Sequence, residues 1–151
     1  MSVTVIPGDP RHPEATALLE ASHALMQSLY PAEDNHYLSI DKLCVPSIRF
    51  FTATKADKII GCAALALKDG YGEVKSMFVD PEARGSGTAD ALMLRLEEEV
   101  RALGLPNIML ETGNTLYAAH RLYARHGFEL CGVFGDYNES PSSLFMEKRL
   151  G

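Results

Sequence analysis

The feature that most constrains the fold is a short loop, Arg84-Gly85-Ser86-Gly87, set between a strand-like run and a helical pattern. A strand that enters such a loop and turns at once into a helix leaves the first-turn N–H groups without intrahelical partners, and the helix macrodipole favours negative charge there. The loop therefore reads as a phosphate cradle. Gly85 and Gly87 let a ligand approach the main chain, Ser86 and Thr88 add hydroxyl donors, and Arg84 adds a cation. A lone Gly-x-Gly is equally compatible with a ligand-free turn, so its context must decide. The Gly-Lys-Ser/Thr ending of a P-loop is missing, which disfavours nucleoside triphosphate hydrolysis. The G-x-G-x-x-G spacing of a dinucleotide fold is missing too.

Apolar periodicity supplies the frame around the loop. Val3 to Ile6 reads as a strand, and Pro13 opens a helix in which Leu18, Ala21, Leu25 and Leu29 recur at helical spacing until Tyr30-Pro31 ends it. An irregular stretch, Ala32 to His36, precedes a short helix over Leu38 to Leu43. Two strands, Ile48 to Thr54 and Ile59 to Leu67, are joined as a hairpin through Ala56-Asp57-Lys58. After the turn Asp69-Gly70-Tyr71-Gly72, strict alternation predicts a strand from Glu73 to Val79 with Glu73, Lys75, Met77 and Val79 on one side and Val74, Ser76 and Phe78 on the other. Asp80-Pro81 stops it. The helix that follows the glycine loop runs from Thr88 to Leu103, with Ala89, Leu92, Leu96, Val100 and Leu103 as an apolar stripe opposite Glu97, Glu98 and Arg101. Beyond Gly104 and Pro106 come a strand over Ile108 to Thr112, a helix over Leu116 to His126 capped by Gly127, and strands over Phe128 to Val133 and Leu144 to Lys148. This order predicts a mixed α/β sheet.

No repeat or polar linker divides the 151 residues, so one domain spanning 1–151 is expected. Lys and Arg number 14 against 20 Asp and Glu, a net charge of −6, which disfavours general attraction to nucleic acid or anionic lipid. Any acidic ligand must be gripped locally. Apolar runs such as Ile59 to Leu67 are too short to span a bilayer, and Met1-Ser2-Val3-Thr4 does not open a signal-peptide pattern, so a cytoplasmic protein without membrane partners is expected. The three cysteines, Cys44, Cys62 and Cys131, show no C-x-x-C spacing. Reduced thiols are expected, with Cys131 a buried strand residue and no part in nucleophilic catalysis. The histidines show no ligand spacing, so no metal is expected.

The run Arg84-Gly85-Ser86-Gly87-Thr88-Ala89 resembles the R/Q-x-x-G-x-G/A motif of the GNAT superfamily of N-acetyltransferases, and Ala119-His120-Arg121-Leu122-Tyr123-Ala124-Arg125-His126-Gly127-Phe128 is similar to that family's A-x-x-L-Y-x-x-x-G-F signature. Two ordered motifs are much more specific than either alone. The resemblance covers roughly Ile48 to Lys148, and Tyr30-Pro31-Ala32-Glu33-Asp34-Asn35-His36 and Phe134-Gly135-Asp136-Tyr137 look like a small bacterial subgroup. It implies a mostly antiparallel sheet, flanked by helices and splayed between its fourth and fifth strands. One departure stands out: Leu116 occupies the position where many members carry Asn, and Asn114 is the nearby substitute for a bond to the cofactor arm.

Acetyl transfer from a thioester needs a bound acyl-CoA, an unprotonated amine, a donor for the developing oxyanion and a proton for the thiolate. By resemblance, the acetyl-CoA pyrophosphate sits on N–H groups from Arg84 to Ala89, the pantetheine arm lies along Met77, Phe78 and Val79, and Asn114, Ala119 and Tyr123 border it. An N–H near Met77 would polarise the thioester carbonyl. Glu73, where members using a general base often carry glutamate, is the expected base, or else pairs with Lys75; Tyr123 is the expected acid. Glu33, Asp34, His36, Asp136 and Tyr137 are the expected surroundings of a small-molecule amine. The resemblance implies an N-acetyltransferase acting by direct transfer, with a homodimer as the default assembly. A non-catalytic acyl-CoA-binding module and a protein lysine acetyltransferase are the alternative readings.

Overall fold

Seven strands assemble into one sheet in the order β1-β2-β3-β4-β5-β7-β6 in the computed structural model, which describes residues 2–150. Met1 and Gly151, the two ends of the expected domain, lie outside that range. The strands are β1 (Thr4–Pro7), β2 (Ile48–Lys55), β3 (Lys58–Lys68), β4 (Tyr71–Val79), β5 (Asn107–Gly113), β6 (Glu129–Cys131) and β7 (Ser143–Arg149). The helices are α1 (Pro13–Leu29), α2 (Ile40–Leu43), α3 (Thr88–Ala102) and α4 (Tyr117–Arg125), with a 3-10 turn at Ala32–Asp34. All strand pairs are antiparallel except β4 with β5. This is the mixed, mostly antiparallel sheet that the sequence implies.

Alternation along β3 fills both faces. Ala63 and Leu65 pack against Leu92, Met93, Leu96 and Val100 of α3 and Leu122 of α4, while Cys62 and Ala64 pack against Ala15, Leu18 and Leu19 of α1. Each fully buried leucine of this kind contributes on the order of 2 kcal/mol. The β2–β3 hairpin is tight, for Ala56 and Asp57 both take positive φ (51° and 64°) and close a two-residue turn whose twist matches the strands.

The helical stripes need two corrections. In α3 the buried face is Thr88, Leu92, Met93, Leu96, Glu97 and Val100, whereas Leu103 is 40% exposed beyond the helix end. Glu97, expected on the solvent side, is buried because Lys148 of β7 reaches across and donates to its carboxylate. In α1 the buried residues are Ala15, Leu18 and Leu19, and Leu29 is 46% exposed where the helix runs past the sheet. The last strand pair is also shorter than the apolar run suggests: β6 keeps three residues, and Cys131 is half-buried at the sheet edge rather than buried.

Two irregularities in β4 shape everything that follows. From Cys62↔Phe78 to Ala64↔Lys75, β3 advances two residues while β4 advances three, so Ser76 and Met77 together oppose Ala63 in a β-bulge. Ser76 takes a positive φ of 53° to accommodate the extra residue. The bulge reverses the expected alternation: Val74, Met77 and Val79 all pack on the α3 side, Phe78 packs on the α1 side, and Glu73 and Lys75 pair with Ala66 and Ala64. Second, β4 pairs with β5 only at Tyr71, Gly72 and Glu73, although β5 continues beside β7 to Gly113. Past Glu73 the two parallel strands diverge, and the sheet opens.

Candidate active site

The glycine loop links the Pro81–Ala83 turn after β4 to the N-terminus of α3. Gly85 and Gly87 adopt φ of 82° and 81°, a left-handed backbone that L side chains rarely take, and Gly87 is the N-cap of α3. A Cβ built on either glycine would meet nothing within 4 Å, so the space over the loop is open and available to a ligand. Ser86 Oγ lies 2.6 Å from Thr88 Oγ1, Thr88 is buried, and Arg84 is exposed. Gly87 has no side chain with which to cap the helix, which leaves the first-turn amides for an external acceptor. These residues fit a diphosphate. Ala89 is half-buried in the first turn of α3, packed against the core that Met77 and Val79 also join.

Between the diverging strands lies a cavity of about 130 Å³. Its lining brings together Val74, Lys75, Ser76 and Met77 of β4, Glu111, Thr112 and Gly113 of β5, Tyr123 and Leu116 at α4, and Ser22 and Met26 of α1. Tyr123 is almost fully buried, its ring tilted against Phe128 at 5.8 Å, and burial together with the nearby Glu111 pushes its phenol up to about 12. Among the described residues its hydroxyl has no protein hydrogen-bond partner, so its proton is free for a ligand. Ala119 is half-buried one turn earlier, against the same core.

Glu111 was not singled out in the sequence. Burial raises its carboxyl above the ordinary value of 4.5, and Ser143 Oγ donates to it at 2.8 Å. A signal was present, for Glu111 is the one carboxylate inside the apolar strand Ile108 to Thr112. Along β5, Ile108, Leu110 and Thr112 fill the α3 side, which leaves Glu111 on the face shared with Glu73 and Lys75.

Glu73 is 3% exposed and does not line the cavity. Tyr137 donates to its carboxylate, Lys75 Nζ lies 3.3 Å from the same oxygen, and Lys75 also donates to the Tyr137 hydroxyl and, at 3.0 Å, to the His36 carbonyl. All three ammonium protons are thus engaged. Burial and the Glu73 carboxylate it donates to hold the Tyr137 phenol far above its usual range. Phe134 and Phe145 wall Tyr137 in at centroid distances of 5.3 and 5.5 Å.

A strap from Tyr30 to Tyr37 closes the α1 side. Tyr30 reaches the turn that follows β5, where its hydroxyl lies 2.6 Å from Thr115 Oγ1 and accepts from Thr115 N–H at 3.2 Å. Only a glycine at 113 permits this approach, because a Cβ there would overlap the Tyr30 ring. Ser142 Oγ donates to Asp34 at 2.9 Å. Of the expected acceptor residues, His36 and Asp34 line the cavity and Tyr137 stacks edge-on to His36 at 5.1 Å; Glu33 and Asp136 are exposed and outside the lining. Asn114 is also exposed and outside it, while Leu116, at the N-cap of α4, contributes an apolar wall.

The chain belongs to the acetyltransferase (GNAT) family, whose model matches residues 16–128, and it is an acetyltransferase by that membership. It is 44% identical to the IAA acetyltransferase of Azospirillum brasilense over 99% of both chains, and 37% identical to the N-acetyltransferase YsnE of Bacillus subtilis over 83% of this chain and 85% of that one. The solved PaiA N-acetyltransferase of Thermoplasma acidophilum, in complex with coenzyme A, shares the fold with a TM-score of 0.75 at 16% identity, over 99% of this chain and 100% of that one. Among the described residues no helix is long and apolar enough to cross a membrane.

Proposed function

We propose that this enzyme moves acetyl from acetyl-CoA directly to the primary amine of a small molecule in a ternary complex. The observation that carries this reading is the cavity where β4 and β5 part, because it joins an unpaired stretch of strand backbone, a buried carboxylate and a proton-bearing tyrosine in one enclosure. Acetyl-CoA supplies a thioester whose C–S bond breaks as the C–N bond forms. The amides from Arg84 to Ala89 hold its diphosphate, and the β4 edge from Met77 to Val79 receives the arm. In this reading an N–H at Met77, beside the bulge, donates to the carbonyl oxygen as charge develops there.

Glu111 takes the ammonium proton of the acceptor. It lines the cavity, and its raised carboxyl brings it closer to neutral pH, where a base works best. Glu73, the expectation from sequence, is covered by Tyr137 and Lys75, and in this reading it holds those two groups in place. Tyr123 gives its proton to the departing thiolate, and the second proton that the nitrogen loses as the amide forms restores the phenol, which at a value near 12 is protonated throughout the working range. No cysteine lines the cavity among the described residues, which supports direct transfer over an acyl-enzyme route. The small volume favours a compact acceptor over an extended peptide.

The test is thiol release from acetyl-CoA over a panel of amines, followed by pH profiles. Glu111 must be ionised to act, so kcat/KM is expected to rise with pH through a carboxyl value above 4.5. Glu111→Gln is expected to abolish that limb and lower kcat by about a hundredfold, whereas Glu73→Gln keeps the limb and loses stability through the stranded Lys75 ammonium. A limb lost in Glu73→Gln and kept in Glu111→Gln returns the base to Glu73. Tight CoA binding without turnover on any amine leaves a binding module.

A further inference from the structure

The strap from Tyr30 to Tyr37 and the loop over 134–137 are far apart in sequence, yet they meet at one side chain. Lys75 Nζ donates to the His36 carbonyl at 3.0 Å and to the Tyr137 hydroxyl, and Tyr137 in turn donates to Glu73. Among the described residues, Lys75 is the one residue of the sheet hydrogen-bonded to both segments. The His36 ring stands edge-on to the Tyr137 ring at 5.1 Å, so strap and loop also touch each other. Lys75 and His36 both line the cavity where β4 and β5 part, which makes this joint part of its wall.

The joint is closed in energetic terms as well. The Lys75 side chain is 13% exposed and that of Glu73 only 4%, and two charges taken this far from water are tolerated only when their other protons and lone pairs are also bonded. An ammonium carries three donors on one atom, so a single side chain from β4 can serve Glu73, Tyr137 and the His36 carbonyl together. The strap has little else to hold it there. Among the described residues, the bond from Lys75 to His36 is the only hydrogen bond between residues 35–39 and the sheet. Without it, this stretch is tied to α1 through Tyr37, which accepts from Gln27 and stacks on His23. Lys75 makes no hydrogen bond to the glycine loop or to α3, so the cofactor half does not depend on it.

We propose that Lys75 is a positioning residue for the acceptor, its one ammonium locking the strap and the 134–137 loop into a single unit against β4, so that the two segments open and close together. The inference rests on the acetyl-transfer reading for what the unit encloses, and the joint itself is tested without turnover.

The comparison is between Glu73→Gln, which keeps the ammonium and its bond to the strap, and Glu73→Gln/Lys75→Met, which removes both charges and strands neither. Hydrogen exchange of the full chain, followed by mass spectrometry, is expected to be about tenfold faster in the double variant at the strap and at the 134–137 loop alike, with α3 unchanged. In a thiol-release assay the amine KM is expected to rise by about tenfold, with kcat and the acetyl-CoA KM each within about twofold. Glu73→Gln/Lys75→Leu must give the same result if the methionine variant folds poorly. Faster exchange in one segment alone, or in α3 as well, overturns the joint. So does an acetyl-CoA KM that rises with the amine KM. Absence of turnover by the native enzyme on every amine instead overturns the acetyl-transfer reading, while the exchange rates still decide whether Lys75 couples the two segments.

Discussion

Gly87 carries two separable requirements, a left-handed φ of 81° and an open face where a ligand meets the amides. Gly87→Val is expected to lower the stability by about 1–2 kcal/mol through the backbone alone. It is expected to raise the acetyl-CoA Kd more than tenfold, because the added branches stand where the diphosphate would; calorimetry checks this, and unchanged affinity would remove the cradle. Tyr123 makes the opposite case. Its ring packs on Phe128 and its hydroxyl has no protein partner, so Tyr123→Phe keeps the packing and removes only the proton. A fall in kcat of about ten- to a hundredfold with little change in acetyl-CoA Kd is expected. An unaltered kcat would reduce Tyr123 to a packing residue. At this scale the two ordered motifs made the loop and Tyr123 legible in the sequence. Glu111 was not, because its place in the cavity comes from burial between chain segments far apart in sequence.

Among the elements, β4 is where pattern reading met its boundary. Alternation put Glu73, Lys75, Met77 and Val79 on one side, and the register shift opposite Ala63 moved Met77 and Val79 to the other. A bulge leaves little trace in a single sequence, for Ser76 carries no glycine to announce the positive φ. The strap from Tyr30 to Tyr37 is a second element with weak local pattern, held by contacts to Thr115 just past β5, to Ser142 and to Lys75. Its fastening depends on Gly113. Gly113→Ala is expected to displace the Tyr30 ring and free the strap, raising the amine KM several-fold while the acetyl-CoA Kd stays nearly constant. Steady-state kinetics with both substrates, and faster limited proteolysis near Tyr30, would reveal it; a parallel loss of acetyl-CoA affinity would show that the strap belongs to the cofactor half instead.

Across the whole molecule, the sheet separates two cores that the loop, the cleft and the strap all lean on. Their separation gives global folding a chemical reporter. Cys62 lies mid-β3 on the α1 face, fully buried beside Ala15, Leu18 and Leu19, and burial pushes its thiol up to about 12. Only the thiolate attacks alkylating reagents, so Cys62 is expected to be inert in the native state, while half-buried Cys44 and Cys131 react first. Cys131 sits on the outermost strand, and local fraying suffices to expose it. Exposing Cys62 requires α1 to leave the sheet. Its labelling rate, followed by mass spectrometry, should therefore track global unfolding across a denaturant series, and acetyl-CoA at a hundred times its Kd should slow it by about a hundredfold. If Cys62 labels as fast as Cys131 without denaturant, the α1 layer opens independently of the α3 layer, and the acceptor side of the cleft moves while the cofactor side stays formed.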